Sequence, residues 1–171
     1  LLVLVKANAY GHGAVEFASL MEDAGADYLA VAYPVEGIEL RQGGIKSPII
    51  VLTCGTDSFE EMINYGLEPG VPNICTLKAL CKVLEKREVK NFPVHIKMDT
   101  GMHRLGFMND DIPELIDRLK NAKSIEVKSF FSHLACSEDP AMDHFTSNQI
   151  EKFRKWSTLL KDKLDRKDVL C

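Results

Sequence analysis

Two lysines, an arginine and a histidine in this 171-residue sequence fall where a parallel α/β fold would concentrate its chemistry. Lys6 closes an apolar run, Leu1 to Val5, and is followed at once by Ala7-Asn8-Ala9-Tyr10-Gly11-His12-Gly13. A strand that ends in a lysine and gives way to small residues places the amine at the C-terminal rim, where the active sites of such folds lie. Desolvation at that rim lowers the pKa of an amine, and the neutral amine is the form that condenses with a carbonyl. The glycines lead toward a helix N-terminus whose backbone amides suit an anion such as phosphate. A lysine that merely ends a strand and points into water fits the same local pattern, so position alone leaves both readings open.

The segment His95-Ile96-Lys97-Met98-Asp99-Thr100-Gly101-Met102-His103-Arg104-Leu105-Gly106-Phe107 repeats the arrangement of a strand followed by a glycine-bearing loop. Strand alternation sends His95 and Lys97 to one face and Ile96 and Met98 to the other. Facing inward, Lys97 would be a buried charge in need of a partner or a modification. Arg104, between Gly101 and Gly106, is a fork donor suited to oxygen anions, or else a solvated loop arginine. Further on, Phe131-Ser132-His133-Leu134-Ala135-Cys136 closes another apolar run. A lone histidine beside a serine is more often structural than half of a hydrolase pair, and no nucleophile-elbow pattern surrounds Ser132.

These segments must be carried by regular elements, and the sequence alternates between two periods. Strands are expected at Leu1 to Val5, Tyr28 to Ala32, Pro48 to Leu52, Leu67 to Pro72, Pro93 to Met98 and Val127 to His133. The first should be buried on both faces, and the fourth is weakened by two prolines. Helices are expected at Ala14 to Ala24, Pro34 to Gln42, Ser58 to Tyr65, Thr76 to Arg87, Asp111 to Leu119 and Asp143 to Leu164. Ser58 with Glu61 three residues later reads as a capping box. Strands that alternate with helices imply βα units and a parallel sheet, closed either as an open doubly wound sheet or as a (β/α)8 barrel. A full barrel needs about 250 residues, so this length would make an incomplete one.

The composition is that of an ordinary globular chain, 46% hydrophobic and 27% charged, with a net charge of -4. A mildly acidic balance carries no electrostatic footprint for nucleic acid or an anionic membrane surface. The five cysteines form an odd count without CxxC spacing, which argues against a disulfide framework or a structural zinc site. Reduced thiols point to a reducing, cytoplasmic compartment. No run approaches the roughly 20 apolar residues of a membrane helix. The chain begins inside an apolar run without an initiator Met and stops at Leu170-Cys171, so it reads as a piece of a longer protein.

The three segments resemble one family in order. Val5-Lys6-Ala7-Asn8-Ala9-Tyr10-Gly11-His12-Gly13 is similar to the cofactor-lysine signature of alanine racemases; its shorter VKAN core is shared with the barrel-type amino-acid decarboxylases. The segment from Lys97 to Gly106 looks like the K-x-D-T-G-M-x-R-L-G motif of the same family, with His103 at a variable position. The segment Ser132 to Asp139 resembles its T-H-F-A-x-A-D-E stretch, with Ser132 and Leu134 as departures and Cys136 treated as a buried thiol. The stretch from Tyr28 to Leu52 also reads like racemase sequence.

The resemblance implies a partial (β/α)8 barrel of about six βα units. Residues 1–171 would form an incomplete N-terminal barrel domain binding pyridoxal phosphate, with a C-terminal β domain outside this chain. It implies that Lys6 carries the cofactor and that Tyr10 hydrogen-bonds its phosphate. It further implies that Arg104 binds the phenolic oxygen, that His133 lies against the ring and that Lys97 is a candidate for carbamylation. His12 is expected to be structural. The reaction implied is interconversion of L- and D-alanine for peptidoglycan, by a homodimer whose second catalytic base is a tyrosine of the other subunit's C-terminal domain. The segment alone is then expected to lack racemase activity. A related decarboxylase, a broader-specificity racemase and a non-enzymatic cofactor-binding barrel are the alternatives.

Overall fold

The computed structural model describes residues 1–171. The chain divides into two compact units, Leu1–Gly70 and Val71–Cys171. The first contains strands β1 (Leu2–Leu4), β2 (Tyr28–Val31), β3 (Ile49–Val51) and β4 (Leu67–Val71, which reaches the boundary). They are linked by helices α1 (Ala14–Asp23), α2 (Pro34–Gln42) and α3 (Phe59–Asn64). Every pairing is parallel, β1 with β2, β2 with β3 and β3 with β4. A doubly wound sheet would turn back on itself at a switch point. Strands laid down in chain order without a reversal are the winding of a (β/α)8 barrel, so the order within this unit decides between the two closures.

Sequence explains these elements one by one. β2 and β3 are aliphatic runs whose Leu29, Val31, Ile49 and Val51 are wholly buried, each side chain contributing about 1.5–3 kcal/mol by leaving water. α2 opens with Pro34 at its start, where the missing N–H costs nothing. It packs closely because Gly37 has no side chain: a Cβ there would lie 3.0 Å from both Leu67 methyls. Arg41, near the end of α2, donates to the carbonyls of Ile45 (2.9 Å), Ser47 (2.8 Å), Tyr65 (3.0 Å) and Gly66 (3.2 Å). One guanidinium fork thus satisfies the loops entering β3 and β4.

The second unit contains α4 (Ile74–Lys86), β5 (Phe92–Lys97), α5 (Ile112–Asn121), β6 (Ile125–Phe131) and α6 (Asp143–Leu164). β5 and β6 are parallel, with a register shift between Val94 and His95. The extra residue puts His95 opposite Ser129, and the histidine Nδ1 lies 2.7 Å from the serine Oγ. The core gathers Leu77, Leu80, Leu84, Ile96, Phe107 and Phe130. α5 has the clearest two-faced pattern: Ile112, Leu115 and Leu119 are buried, while Glu114 pairs with Lys78 of α4 at 3.1 Å. Within each unit strand order follows chain order, and the fold class is α/β, built of six βα units. No helix is long and apolar enough to cross a membrane.

Several expectations are corrected. β1 is not buried on both faces: Leu2 is 46% and Leu4 40% exposed, two side chains that share one face of the strand. The capping box at Ser58 does not form. Ser58 has near-helical backbone angles, φ -95° and ψ -3°, without a side-chain cap, and its hydroxyl instead donates to the Gly55 carbonyl at 2.7 Å. α4 begins at Ile74 rather than Thr76, because Asn73 is the cap: its side chain accepts the Thr76 amide at 2.8 Å. α5 starts after a 3-10 turn, Asn109–Asp111. β6 spans Ile125–Phe131, two residues earlier than expected, since its pairing with β5 begins at Ile125, opposite Phe92; the charged Glu126 and Lys128, 2.9 Å apart, mask that start in the sequence. Cys136 is half-buried rather than buried.

Candidate active site

Lys6 lies immediately beyond β1, whose end is tied to β2 by the Val5 amide donating to the Ala30 carbonyl at 2.9 Å. The lysine is half-buried. The chain then does something rare for L-residues. Ala7, Asn8, Ala9 and Tyr10 all have left-handed backbone angles, with φ between 50° and 55°. Each such residue costs roughly 1–2 kcal/mol, so the turn persists only if its surroundings hold it. Within the turn, the Ala9 amide donates to the Val5 carbonyl (3.1 Å) and the Gly13 amide to the Asn8 carbonyl (3.2 Å). Gly11 at φ 94° and Gly13 at φ 88° let the chain leave the turn into α1.

Asn8 then caps α1, its side-chain oxygen accepting the Ala14 amide at 2.7 Å. The amides of Gly13 and Ala14 are thus both taken by Asn8. The His12 Nδ1 lies 2.9 Å from the Ala9 carbonyl, which gives His12 a structural place. Tyr10, at the far end of the turn, is exposed.

The turn is also held from outside. Glu36, in the first turn of α2, accepts the Ala7 amide on Oε1 at 2.7 Å. Its Oε2 accepts the amides of Ala32 (2.7 Å) and Tyr33 (3.0 Å). Sequence reading overlooked this residue. The available signal was a Glu in the first turn of a helix opened by proline, the place from which such a side chain reaches back to free backbone amides.

The second unit carries Lys97, Arg104 and His133. Lys97 ends β5 and is only 7% exposed, with its Nζ 5.8 Å from the centre of the Phe131 ring. The loop beyond it closes tightly: the Asp99 amide donates to the Phe107 carbonyl and the Phe107 amide to the Lys97 carbonyl, both at 2.9 Å. Asp99 is buried and organises the loop interior, accepting the amides of Gly101 and His103 at 3.0 Å each. His103, at φ 56°, also brings its ring nitrogen within 3.6 Å of the Asp99 carboxylate. Gly106 is obligatory, because a Cβ there would stand 2.4 Å from the Asp99 backbone nitrogen. Arg104 emerges exposed between these fixed points.

His133 follows β6 and is exposed, with its carbonyl accepting from the Gln149 side chain at 3.0 Å. The neighbouring Ser132 hydroxyl donates to the Met98 carbonyl at 2.8 Å and lies 2.8 Å from the Thr100 hydroxyl. Gln149 is the second residue that sequence reading missed. It occupies an apolar stripe of α6 with Phe145, Phe153, Trp156 and Leu160, and a polar residue in such a stripe marks a buried hydrogen-bond centre. No cluster of three or more His, Cys, Asp or Glu side chains is placed to hold a metal ion.

In the first unit a primary amine and a phenol hydroxyl follow β1, and in the second a guanidinium fork follows β5 and an imidazole follows β6. A model of the alanine racemase N-terminal domain family matches residues 1–171. An alanine racemase of Clostridium kluyveri is 39% identical over 171 residues, which make up 99% of this chain and 42% of that protein. One from Neisseria meningitidis is 41% identical over 155 residues, 90% of this chain and 43% of that protein. Among solved structures, an alanine racemase from Corynebacterium glutamicum superposes with a TM-score of 0.89 at 30% identity, over 99% of this chain and 48% of that one. An alanine racemase of Clostridium difficile in complex with cycloserine gives a TM-score of 0.89 at 32% identity, over 99% of this chain and 46% of that one. The chain spans less than half the length of these relatives.

Proposed function

The chain belongs to the alanine racemase family, as its N-terminal domain, and from that premise we propose that the protein interconverts L- and D-alanine with pyridoxal phosphate held at Lys6. The observation that carries this reading is the place of Lys6: half-buried at the end of β1, at the root of a left-handed turn fixed from both sides. Pyridoxal phosphate, when bound, supplies the electron sink that makes the Cα proton of an amino acid removable. Lys6 would hold it through its amine, and that amine would take and return a proton on one face of Cα. Tyr10 would hold its phosphate, Arg104 its phenolic oxygen and His133 its ring. Lys97, if carbamylated, would be an anion able to pair with Arg104.

Racemisation requires a second base on the opposite face, and we assign it to a tyrosine of the C-terminal β domain of the second subunit in a homodimer. Residues 1–171 are in this reading the N-terminal, cofactor-binding barrel portion. The product serves peptidoglycan synthesis in the cytoplasm. The test is a racemisation assay on the full-length protein with L-alanine, read as D-alanine formed, alongside borohydride fixation of the cofactor and peptide mapping. D-alanine formation that is lost in Lys6→Ala, with label on the Lys6 peptide, is the expected result. Label on another lysine, or carbon dioxide released without enantiomer exchange, would overturn the assignment, the latter in favour of a related decarboxylase.

A further inference from the structure

We infer that Glu36 is the positioning residue for Lys6, holding the left-handed turn that presents the amine; this rests on the assignment of Lys6 as the cofactor-bearing residue. The turn's internal hydrogen bonds tie Ala9 to Val5 and Gly13 to Asn8, and Asn8 anchors its far end to α1. The near end, the peptide joining Lys6 to Ala7, is held by a bond to another element: the Ala7 amide donates to Glu36 Oε1 at 2.7 Å. Ala7 is otherwise exposed, so without that bond its amide would turn to solvent and the residue would be free to leave φ 51° for the right-handed region that L-residues favour. Such a change at Ala7 swings the Lys6 peptide and moves the amine.

The carboxylate is suited to this in a way that no neutral isostere is. Its two oxygens face different elements, Oε1 the Lys6 turn and Oε2 the Ala32 and Tyr33 amides at the β2-to-α2 junction. All three donors are backbone N–H groups, so both atoms must accept. A glutamine offers one acceptor and one donor group. It retains more hydrogen bonds by keeping its oxygen on Ala32 and Tyr33, which sets its NH2 against the Ala7 amide, donor against donor. Glu36→Gln therefore releases the Lys6 side selectively and leaves the start of α2 bonded. Glu36→Asp, one methylene shorter, has the same expected outcome because its reach is set by its own helix.

Amide hydrogen exchange and cofactor capture on the full-length protein test this. In the wild type, the Ala7 amide should exchange on the order of a hundredfold more slowly than a free amide despite its exposure, as a hydrogen-bonded group does; unprotected exchange there overturns the proposal without any variant. In Glu36→Gln, exchange at Ala7 should rise on the order of tenfold or more, while Ala32 and Tyr33 change by less than about threefold. The rate at which borohydride-fixable pyridoxal phosphate accumulates on Lys6 should fall about tenfold, with KM for alanine little changed in enzyme saturated with cofactor. Equal loss of protection at all three amides would mean that Glu36 only caps α2, and an unchanged capture rate with a released Ala7 would mean that the turn does not govern the amine; either overturns the inference. Wild-type protein that never labels at Lys6 would instead overturn the assignment of that lysine, leaving the exchange arms to decide whether Glu36 clamps the turn.

Discussion

The carboxamide of Gln149 donates to the Thr100 hydroxyl at 3.2 Å. The same nitrogen reaches the His133 carbonyl at 3.0 Å, and the side-chain oxygen accepts the Ala135 amide at 3.0 Å. One buried side chain of α6 therefore spans the loops beyond both β5 and β6, which carry Arg104 and His133. With only 1% of its surface exposed, it has no water to replace these bonds.

Gln149→Leu keeps the volume and removes every bond. Three buried or half-buried polar groups lose a partner, at about 1–3 kcal/mol for each that stays unsatisfied. We expect a loss of about 2–4 kcal/mol in urea unfolding of the full-length protein, and broadened ring signals of His133. Gln149→Glu keeps the acceptor for Ala135 but loses both donors, and should fall between the two. A leucine variant as stable as the wild type, with an unchanged His133 signal, would show that the loops are held by other contacts.

The loop carrying Arg104 has its own point of failure. Gly106 has φ 139°, and a Cβ there would meet the Asp99 nitrogen and the Met98 carbonyl carbon at 2.4 and 2.7 Å. These are backbone atoms and cannot rotate away. Gly106→Ala should cost more than about 2 kcal/mol and release the Phe107 amide from Lys97. Gly11→Ala meets no atom within 4 Å and pays only for its positive φ, roughly 1 kcal/mol. Denaturant titration of the two variants should rank them in that order; the reverse order would refute the account of the loop.

The sequence carried the architecture better than the site. Alternating periods located every strand and its helix because β2, β3 and the stripes of α4 and α5 obey their periods without conflict. Boundaries slipped where a local polar contact overrode the pattern: Asn73 capping α4 two residues early, and the Glu126–Lys128 pair disguising the start of β6. The residues with candidate chemistry were legible because reactive groups lie next to glycines at strand ends. The residues that hold them, Glu36 and Gln149, were not, since their partners are backbone amides and carbonyls, which have no signature in the sequence. Nor did periodicity hint at the left-handed turn. Asn8, Gly11 and Gly13 permit positive φ, but Ala7, Ala9 and Tyr10 do not favour it.

Lys97 offers a chemical test. Its side chain is buried, with the amine 5.8 Å from the centre of the Phe131 ring, and the family resemblance makes it the candidate for carbamylation. We expect the neutral amine to add to carbon dioxide, forming an N–C bond and losing a proton, so that the side chain becomes an anion. Carbon-13 bicarbonate added to the full-length protein should give a carbamate signal that disappears in Lys97→Arg. Absence of the signal in well-folded wild-type protein would leave a cation at this position and refute the carbamate.

The thiols should react in an order set by burial. Burial pushes the Cys54 thiol up to about 11, so at pH 8 roughly one molecule in a thousand has the reactive thiolate. Cys75 and Cys171 are exposed. Iodoacetamide at pH 8 should label those two first and Cys54 last, as followed by peptide mass spectrometry. Early labelling of Cys54 would mean that the loop after β3 opens readily.

Glu22 supplies a pH dependence whose sign can be worked out. On α1, it accepts the Lys46 amide at 2.8 Å and forms a very short contact with the Ser47 amide. Its pKa is held below the ordinary 4.5, first by the Ser47 side-chain hydrogen bond; burial opposes this as the next largest effect, and the backbone bonds from Ser47 and Lys46 and the Arg41 charge lower it further. A carboxylate with a folded pKa below its unfolded value adds stability that is fully present above the unfolded value and is lost as pH falls through the folded one. Because the group is largely solvated, this is worth at most about 1 kcal/mol. Glu22→Gln should therefore be less stable than the wild type at pH 7, and the gap should close as the pH falls below the ordinary 4.5 and through the lowered folded value. Urea midpoints at several pH values would check this. A gap that widens as the solution is acidified would mean that Glu22 is destabilised by folding, contrary to the hydrogen bonds that it accepts from the loop before β3.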